Sequence, residues 1–548
     1  VVSPSTFAEA EKLAQVSMSA AEREMAAATW RQTMAPYLER RSGPRKVTLA
    51  PEHTPATLWN PAIAGSPAGA GHDRFEPARG AALPLPAKDD EIAFAPVTSL
   101  ARWIESRQLS ATRLTRIYLE RIARLDTKLR SVITRTSDHA LAQAARADAE
   151  IAAGRYRGPL HGIPFGVKDL LDTAGIATTY GAEPFRDRLP AADSIVVRRL
   201  YDAGAILVAK LSMGALALND IWFGGQTMNP WLPEEGASGS SAGPGAATAA
   251  GLVAFSIGSE TGGSIVSPAM RCGITGLRPT FGRVPRTGAM TLCWSLDKLG
   301  PMTRSVEDAM LVLRAISGPD AGDPSSVPSR LEYVPGPVSG LRVGYVTAWL
   351  SEPPAADVDR AALEAVRALG AVTVPVTLPD WPHGSLMPIL FAEAAASFED
   401  LTLSGRAAEL KSQVPDAWPN LFRLTRFLSA VDIVQADRLR RRFAEEMARI
   451  FRDVDALLVP SLRDEMLTIS NFTGQPSLTL RAGFVTVSEA RSDWAPDPRS
   501  PLPKFSPPRR VPHGVTLLGR LFEEGTIAKL GVALERHFDV VRERPAGF

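Results

Sequence analysis

Residues 236–245 read GASGSSAGPG and run directly into AATAAGL at 246–252. Side chains this small let a helix lie against a neighbouring backbone, with the amide donors at its start free for an anion or a developing oxyanion. The stretch lacks the G-x-x-x-x-G-K-[ST] sequence of a phosphate loop, and no dinucleotide fingerprint with a matching acidic residue follows a clear first strand. On its own, it marks a close backbone approach that serves structure as readily as chemistry.

Around this segment, short apolar stretches alternate with helical patterns. Helical spacing runs over Ser99–Leu125 and Ser137–Ala153, and Ile163–Val167 is a short apolar segment after Gly162. Ile195–Asp202, Ile206–Val208, Ala246–Leu252 and Ala254–Ile257 alternate helices and strands, as do Leu341–Tyr345, Ala356–Leu369 and Val372–Val376. This order predicts an α/β fold, a central mixed β-sheet covered by helices on both sides. Helical sequence over 388–451, a segment at Ala456–Val459, another at Asn471–Leu480 and a helix near Gly525–Phe538 complete the pattern.

Ahead of it, 7–39 favours one or two surface helices, and Ser42–Pro86 is rich in Pro, Gly and Ala and reads as irregular. The expected division is an N-terminal helical and irregular extension over 1–94 and a main domain over 95–548, with a helical region at about 385–450. Residues 485–512 are proline-rich and charged, so a loop that rims a site is expected there. The cluster Arg438, Arg440, Arg441 and Arg442 reads as a solvated helix face.

With 61 Lys+Arg against 59 Asp+Glu the net charge is +2, so no nucleic-acid partner is expected. No apolar run reaches the roughly 18 residues that a membrane span needs, so none is expected. Cys272 and Cys293 are too few for a disulfide scaffold or a structural zinc site. The chain starts at Val1, compatible with a cytoplasmic protein or one exported after leader removal.

Ser264 follows Ser240 by 24 residues, within SETGGSI at 259–265. A tight turn there can aim the amides of Thr261, Gly262, Gly263 and Ser264 at one point, where they would stabilise a forming oxyanion. A serine hydroxyl still needs a base within hydrogen-bond reach. His161 and His513 sit in no motif that favours either. In GIPFGVKD at 162–169, strand alternation puts Ile163, Phe165 and Val167 on one face and Lys168 with Gly166 on the other. A buried Lys168 is driven toward its neutral, proton-accepting form, whereas one at a strand end reaches solvent or pairs with an acid such as Asp169.

The segments GIPFGVKDLLDTAGIATTYG at 162–181, SGSSAGPGAATAAG at 238–251 and SETGGSI at 259–265 together resemble the amidase signature family. CGITGLRPTFGR at 272–283 and LGPMTRSVED at 299–308 continue the resemblance, which covers roughly 95–545. It implies the amidase signature fold, with Lys168 as catalytic base, Ser240 as bridging serine and Ser264 as nucleophile. It also implies a cis Gly239–Ser240 peptide and a supporting hydrogen bond from Ser241, and it requires no metal or redox cofactor. The implied reaction is serine amidohydrolysis of a small-molecule carboxylic amide to acid plus amine or ammonia, with possible esterase or carbamate hydrolase side activity. A glutamine-hydrolysing subunit of a tRNA-dependent amidotransferase and a non-catalytic ligand-binding homologue are the alternatives.

Several positions depart from the family pattern. Glu260 stands where Asp is frequent, and Ala242 and Ser238 replace glycines. Val266 stands where many members carry Arg; it offers no charge or bidentate donor, which favours a neutral, partly hydrophobic acyl group. Trp222, Phe223, Trp231 and Trp294 are candidates for an aromatic rim. Gln226, Thr227, Gly239 and Val266 are further candidate substrate contacts. A monomer or a homo-oligomer fits the sequence equally.

Overall fold

The protein is described from a computed structural model, which covers residues 1–548 except 15, 35–38, 40–42, 48–70, 78–82 and 355. Most of the expected irregular stretch at 42–86 therefore lies outside the described residues. Among those described, eleven strands form one sheet. In chain order they are β1 (Val132–Arg135), β2 (Pro164–Lys168), β3 (Ile206–Leu211), β4 (Phe255–Glu260), β5 (Thr275–Arg278), β6 (Lys298–Thr303), β7 (Arg342–Tyr345), β8 (Val372–Pro375), β9 (Ala456–Pro460), β10 (Ser477–Glu489) and β11 (Lys504–Gly519). Their spatial order is β8-β7-β9-β11-β10-β5-β6-β4-β2-β3-β1. The sheet is mixed: β2 runs parallel to both β3 and β4, β7 runs parallel to β8 and β9, and the pairs from β4 across to β9 are antiparallel.

Both faces of the sheet are covered, which explains why the central strands carry no polar alternation. Every residue of β2, β3 and β4 is buried. Ile206, Val208 and Leu211 share a core with Ile122 and Leu125 of the Ala111–Leu129 helix and Ala140 and Ala144 of the Ser137–Ala152 helix. Phe165, Val167, Leu207 and Ile257 belong to the larger core on the other face. There Phe165 stacks on Phe255 with ring centroids 5.5 Å apart. The small-residue segment forms the Ala242–Ala249 helix, all of it buried. A Cβ at Gly243 would stand 2.4 Å from Ser212 N and 2.6 Å from Ser131 O, so the helix rests on backbone there.

The helical pattern at Ser99–Leu125 is two helices, Val97–Glu105 and Ala111–Leu129, separated where Arg107 takes φ 61°. Ser110 caps the second by accepting from Arg113 N at 3.0 Å. The loop expected over 485–512 is found at 490–503, and the residues on either side of it differ: Val485 pairs with Val511, Thr486 with Arg510 and Val487 with Arg509 in a long β10–β11 hairpin. Its arm reaches beyond the core and is exposed on both sides, so it carries charge, and Pro507 and Pro508 fall where the register slips between Val487 and Glu489.

The arginine cluster needs correcting too. On the Ala430–Asp453 helix, Arg440 is buried and donates to Phe472 O at 2.8 Å and Ser295 O at 3.2 Å. Arg442 lies over the Trp381 ring and Arg441 pairs with Glu445, so the cluster is not one solvated face.

Two N-terminal helices, Pro4–Ala14 and Ala20–Met34, with Met18 between them, pack Phe7, Met18, Ala26 and Met34 against Leu424 of the Trp418–Thr425 helix. Among the described residues, no helix is long and apolar enough to cross a membrane.

Candidate active site

Lys168 closes β2, and its side chain is wholly buried. Its Nζ reaches three hydroxyls, Ser240 Oγ at 2.7 Å, Ser259 Oγ at 2.8 Å and Ser241 Oγ at 3.1 Å. Burial holds its pKa well below the usual lysine value; the negative charges of Asp297 and Glu260 pull the other way without restoring it. Asp169 is not its partner. That carboxylate faces Lys210 Nζ at 3.1 Å and accepts from Thr179 N at 2.8 Å, which fixes the chain just beyond Lys168.

Ser240 and Ser241 immediately precede the Ala242–Ala249 helix, and the Gly239–Ser240 peptide is cis. Ser241 is locked from both sides: Oγ donates to Ser259 O at 3.0 Å and accepts from Ser259 N at 3.1 Å. A Cβ at Gly239 would lie 1.8 Å from Asn219 O, so only glycine fits there. Ser259 has no role assigned from sequence, although it opens the 259–265 segment. Its signal is the β4 pattern Phe255–Ile257–Ser259, which aims a hydroxyl where a core side chain would sit. Its pairing with Lys168 emerges only once β2 and β4 are adjacent.

The turn after β4 carries Ser264, which is half-buried. Glu260 organises this turn. Its Oε2 accepts from the amides of Ile265 at 2.7 Å and Val266 at 2.9 Å. Its Oε1 accepts from Arg278 at 2.6 Å and Asn471 at 2.8 Å. Burial pushes the Glu260 carboxyl up, but the Arg278 charge and these donors outweigh it and leave it below its ordinary value. The amides of Gly262, Gly263 and Ser264 have no acceptor among the described residues. Gly263 takes φ +135°, a conformation that opens the turn and that L side chains rarely adopt.

Ser264 O accepts from Ser241 N at 3.2 Å, lacing the two serine segments together. No hydrogen bond joins Ser264 Oγ to Ser240 Oγ, so the last link of a Lys–Ser–Ser relay is open in this structure. Such links commonly tighten when substrate binds.

A cavity of about 400 Å³ adjoins the site, lined by Ser259 and Thr261 together with Leu170, Ala217, Met290, Leu292, Trp294 and Leu299. Among the described residues, Arg286 is its one basic lining residue, and that guanidinium pairs with Asp323 at 3.0 Å. Asp297 accepts from Thr261 Oγ1 at 2.7 Å and from Leu292 N and Cys293 N, and burial raises its carboxyl pKa.

Several candidate contacts are not brought to this cavity. Trp222 is buried edge-on to Phe223, whose ring carries Arg186 at 4.5 Å. Gln226 is engaged by Asp220 at 3.2 Å, and Thr227 is buried on Ser212 at 2.7 Å. Val266 opens a helix and is buried, and Gly239 faces Asn219. Trp231 donates to Cys272 O at 2.9 Å and contacts Arg481, away from the cavity, whereas Trp294 does line it. His161 contacts Glu150 and His513 contacts Asp359, so neither histidine serves the serines.

A buried lysine on adjacent serines, beside a third serine on a turn of free amides, has the parts of a serine-type hydrolase centre. The Amidase family model matches residues 113–527, and the chain belongs to the amidase signature family. It is 36% identical over 485 residues to the putative amidase AmiD of Mycobacterium tuberculosis, covering 85% of this chain and 98% of that one. It is 32% identical over 483 residues to a glutamyl-tRNA(Gln) amidotransferase subunit of Thermosynechococcus vestitus, covering 80% and 97%. The native peptide amidase of Stenotrophomonas maltophilia superposes with a TM-score of 0.69 at 30% identity, covering 82% of this chain and 98% of that one. The protein is accordingly a serine-type amidase, a hydrolase of carboxylic amides.

Proposed function

We propose that Lys168, Ser240 and Ser264 carry the reaction and that its substrate is a neutral amide with an apolar or aryl acyl group. The observation that carries the catalytic assignment is the 2.7 Å contact from a fully buried Lys168 Nζ to Ser240 Oγ. Neutral Lys168 takes the Ser240 proton as Ser240 takes the proton of Ser264, whose Oγ attacks the carbonyl carbon. The amides of Gly262, Gly263 and Ser264, with that of Thr261, face the resulting oxyanion. Collapse of the tetrahedral intermediate breaks the C–N bond while the protonated relay delivers a proton to the departing nitrogen. Water then attacks the acyl enzyme, and the acid leaves.

The apolar side chains of Leu170, Met290, Leu292, Leu299 and Trp294 support the substrate class. So does the pairing of Arg286 with Asp323, which leaves no unmatched cation among the described residues of the cavity wall for a carboxylate. On this reading the chain works as an independent hydrolase in preference to a glutamine-hydrolysing subunit, whose substrate is zwitterionic. Either a cytoplasmic or an exported setting accommodates it.

The test is a panel of neutral aliphatic and aryl amides, carbamates, esters and glutamine. Neutral apolar amides should give the highest kcat/KM, and a serine-directed acylating probe should label wild type but not Ser264→Ala. Preference for glutamine would overturn the substrate class, and undiminished labelling of the Ser264 variant would overturn the nucleophile.

A further inference from the structure

We infer that Asp493, in the loop of the β10–β11 hairpin, is a positioning residue that sets the placement of the bridging serine relative to the nucleophile. The inference rests on the assignment of Ser240 and Ser264 above. Ser238 has φ +64°, in the left-handed region that favours glycine, and the amidase signature pattern carries glycine there. In this chain its hydroxyl donates to Asp493 Oδ2, and the next amide, Gly239 N, donates to the same oxygen at 3.3 Å. Asp493 thus holds the two residues that lead into Ser240.

Its other oxygen, Oδ1, accepts from Arg271 Nη2 at 2.9 Å. Arg271 lies in the last turn of the Val266–Cys272 helix, whose first residue follows Ser264 by two positions, and it is buried. One carboxylate therefore ties the segment before the bridging serine to the helix after the nucleophile. The hairpin loop is itself anchored, since Arg491 pairs with buried Glu235 at 2.6 Å and Arg491 O accepts from Arg271 Nη1 at 3.0 Å. The open Ser240–Ser264 link is the distance this tether would govern.

The prediction separates positioning from general stabilisation through the residue partnership. Asp493→Ala should lower kcat for an aryl amide about 10–100-fold, with KM changed less and with a smaller loss on an activated ester, which needs less proton delivery. Ser238→Gly should lower activity only slightly. Adding it to Asp493→Ala should recover about tenfold, because glycine takes φ +64° without the hydroxyl bond. Asp493→Asn, which keeps the shape and one acceptor, should fall between wild type and the alanine variant.

Lys168→Ala is measured alongside, with melting curves for all variants. Amide kcat within twofold of wild type in Asp493→Ala, or equal losses on amide and ester that Ser238→Gly does not relieve, would overturn the tether. Amide turnover retained by Lys168→Ala would instead overturn the catalytic assignment beneath it.

Discussion

The proposed base Lys168 can accept a proton only while it is neutral, and burial shifts it toward that form. Below its lowered pKa the ammonium cannot accept a proton, so amide kcat/KM should rise with pH through one ionisation on the acid side and then level. Lys168→Ala should cut amide turnover about 10²–10⁴-fold and abolish that ionisation, with a milder effect on an activated ester. A pH–rate profile of the two proteins on matched amide and ester substrates measures both effects. Ser259 enters at this scale as well, because its hydroxyl and that of Ser241 occupy the remaining hydrogen-bonding directions of the lysine nitrogen.

At the level of elements, β2 delivers the lysine by being buried on both faces and flanked by parallel neighbours. Phe165 anchors it. Phe165→Ala removes the stack on Phe255 and leaves a cavity at the sheet centre, and it should destabilise the protein by about 3–5 kcal/mol in urea unfolding. The helices between Met387 and Asp453 support the cavity beside the proposed site from outside. Glu393 accepts from Ser295 N at 2.9 Å, Ser397 donates to Thr291 O at 2.6 Å, and Trp418 donates to Leu216 O at 2.9 Å. These helices thus fix the 291–297 wall although they contribute none of the proposed catalytic residues.

For the whole molecule, the N-terminal helices brace that same helical region through Phe7, which meets Trp30 at 5.6 Å and Phe427 at 5.2 Å edge-on. Phe7→Ala should weaken their docking by about 3 kcal/mol. Amide hydrogen exchange should accelerate over 4–34 while β2 stays as protected as in wild type. Global pH dependence has an identifiable contributor in Glu535 near the end of the chain. Burial, with the nearby Asp308 charge, raises its carboxyl from 4.5 to about 8, against the Val306 amide that opposes the shift. The folded protein therefore keeps a proton that the unfolded chain releases, so this group's contribution falls as pH rises from about 4.5 to about 8. Glu535→Gln should remove that slope and be more stable than wild type at pH 9, read by denaturant titration at pH 5 and pH 9.

The alternation that builds a mixed sheet, the small-residue helix that must rest on backbone, and the three motif segments with their order and spacing are all legible along the chain. These are local properties: periodicity, side-chain volume and resemblance over short stretches survive without knowing what packs against them. Tertiary structure alone decided which groups meet. Ser259 joins Lys168 because β2 and β4 are neighbours, and Asp169 turns to Lys210 because β3 lies on its other side. The flanks of the 490–503 loop, 485–489 and 504–512, are strand because each arm supplies the other's hydrogen-bond partners, a pairing that overrides proline-rich, charged composition. Trp222, Thr227 and Val266 are buried and do not line the cavity walled by Met290, Leu292 and Trp294, because aromatic and branched side chains serve packing and binding alike. Only the course of the backbone assigns each to one role.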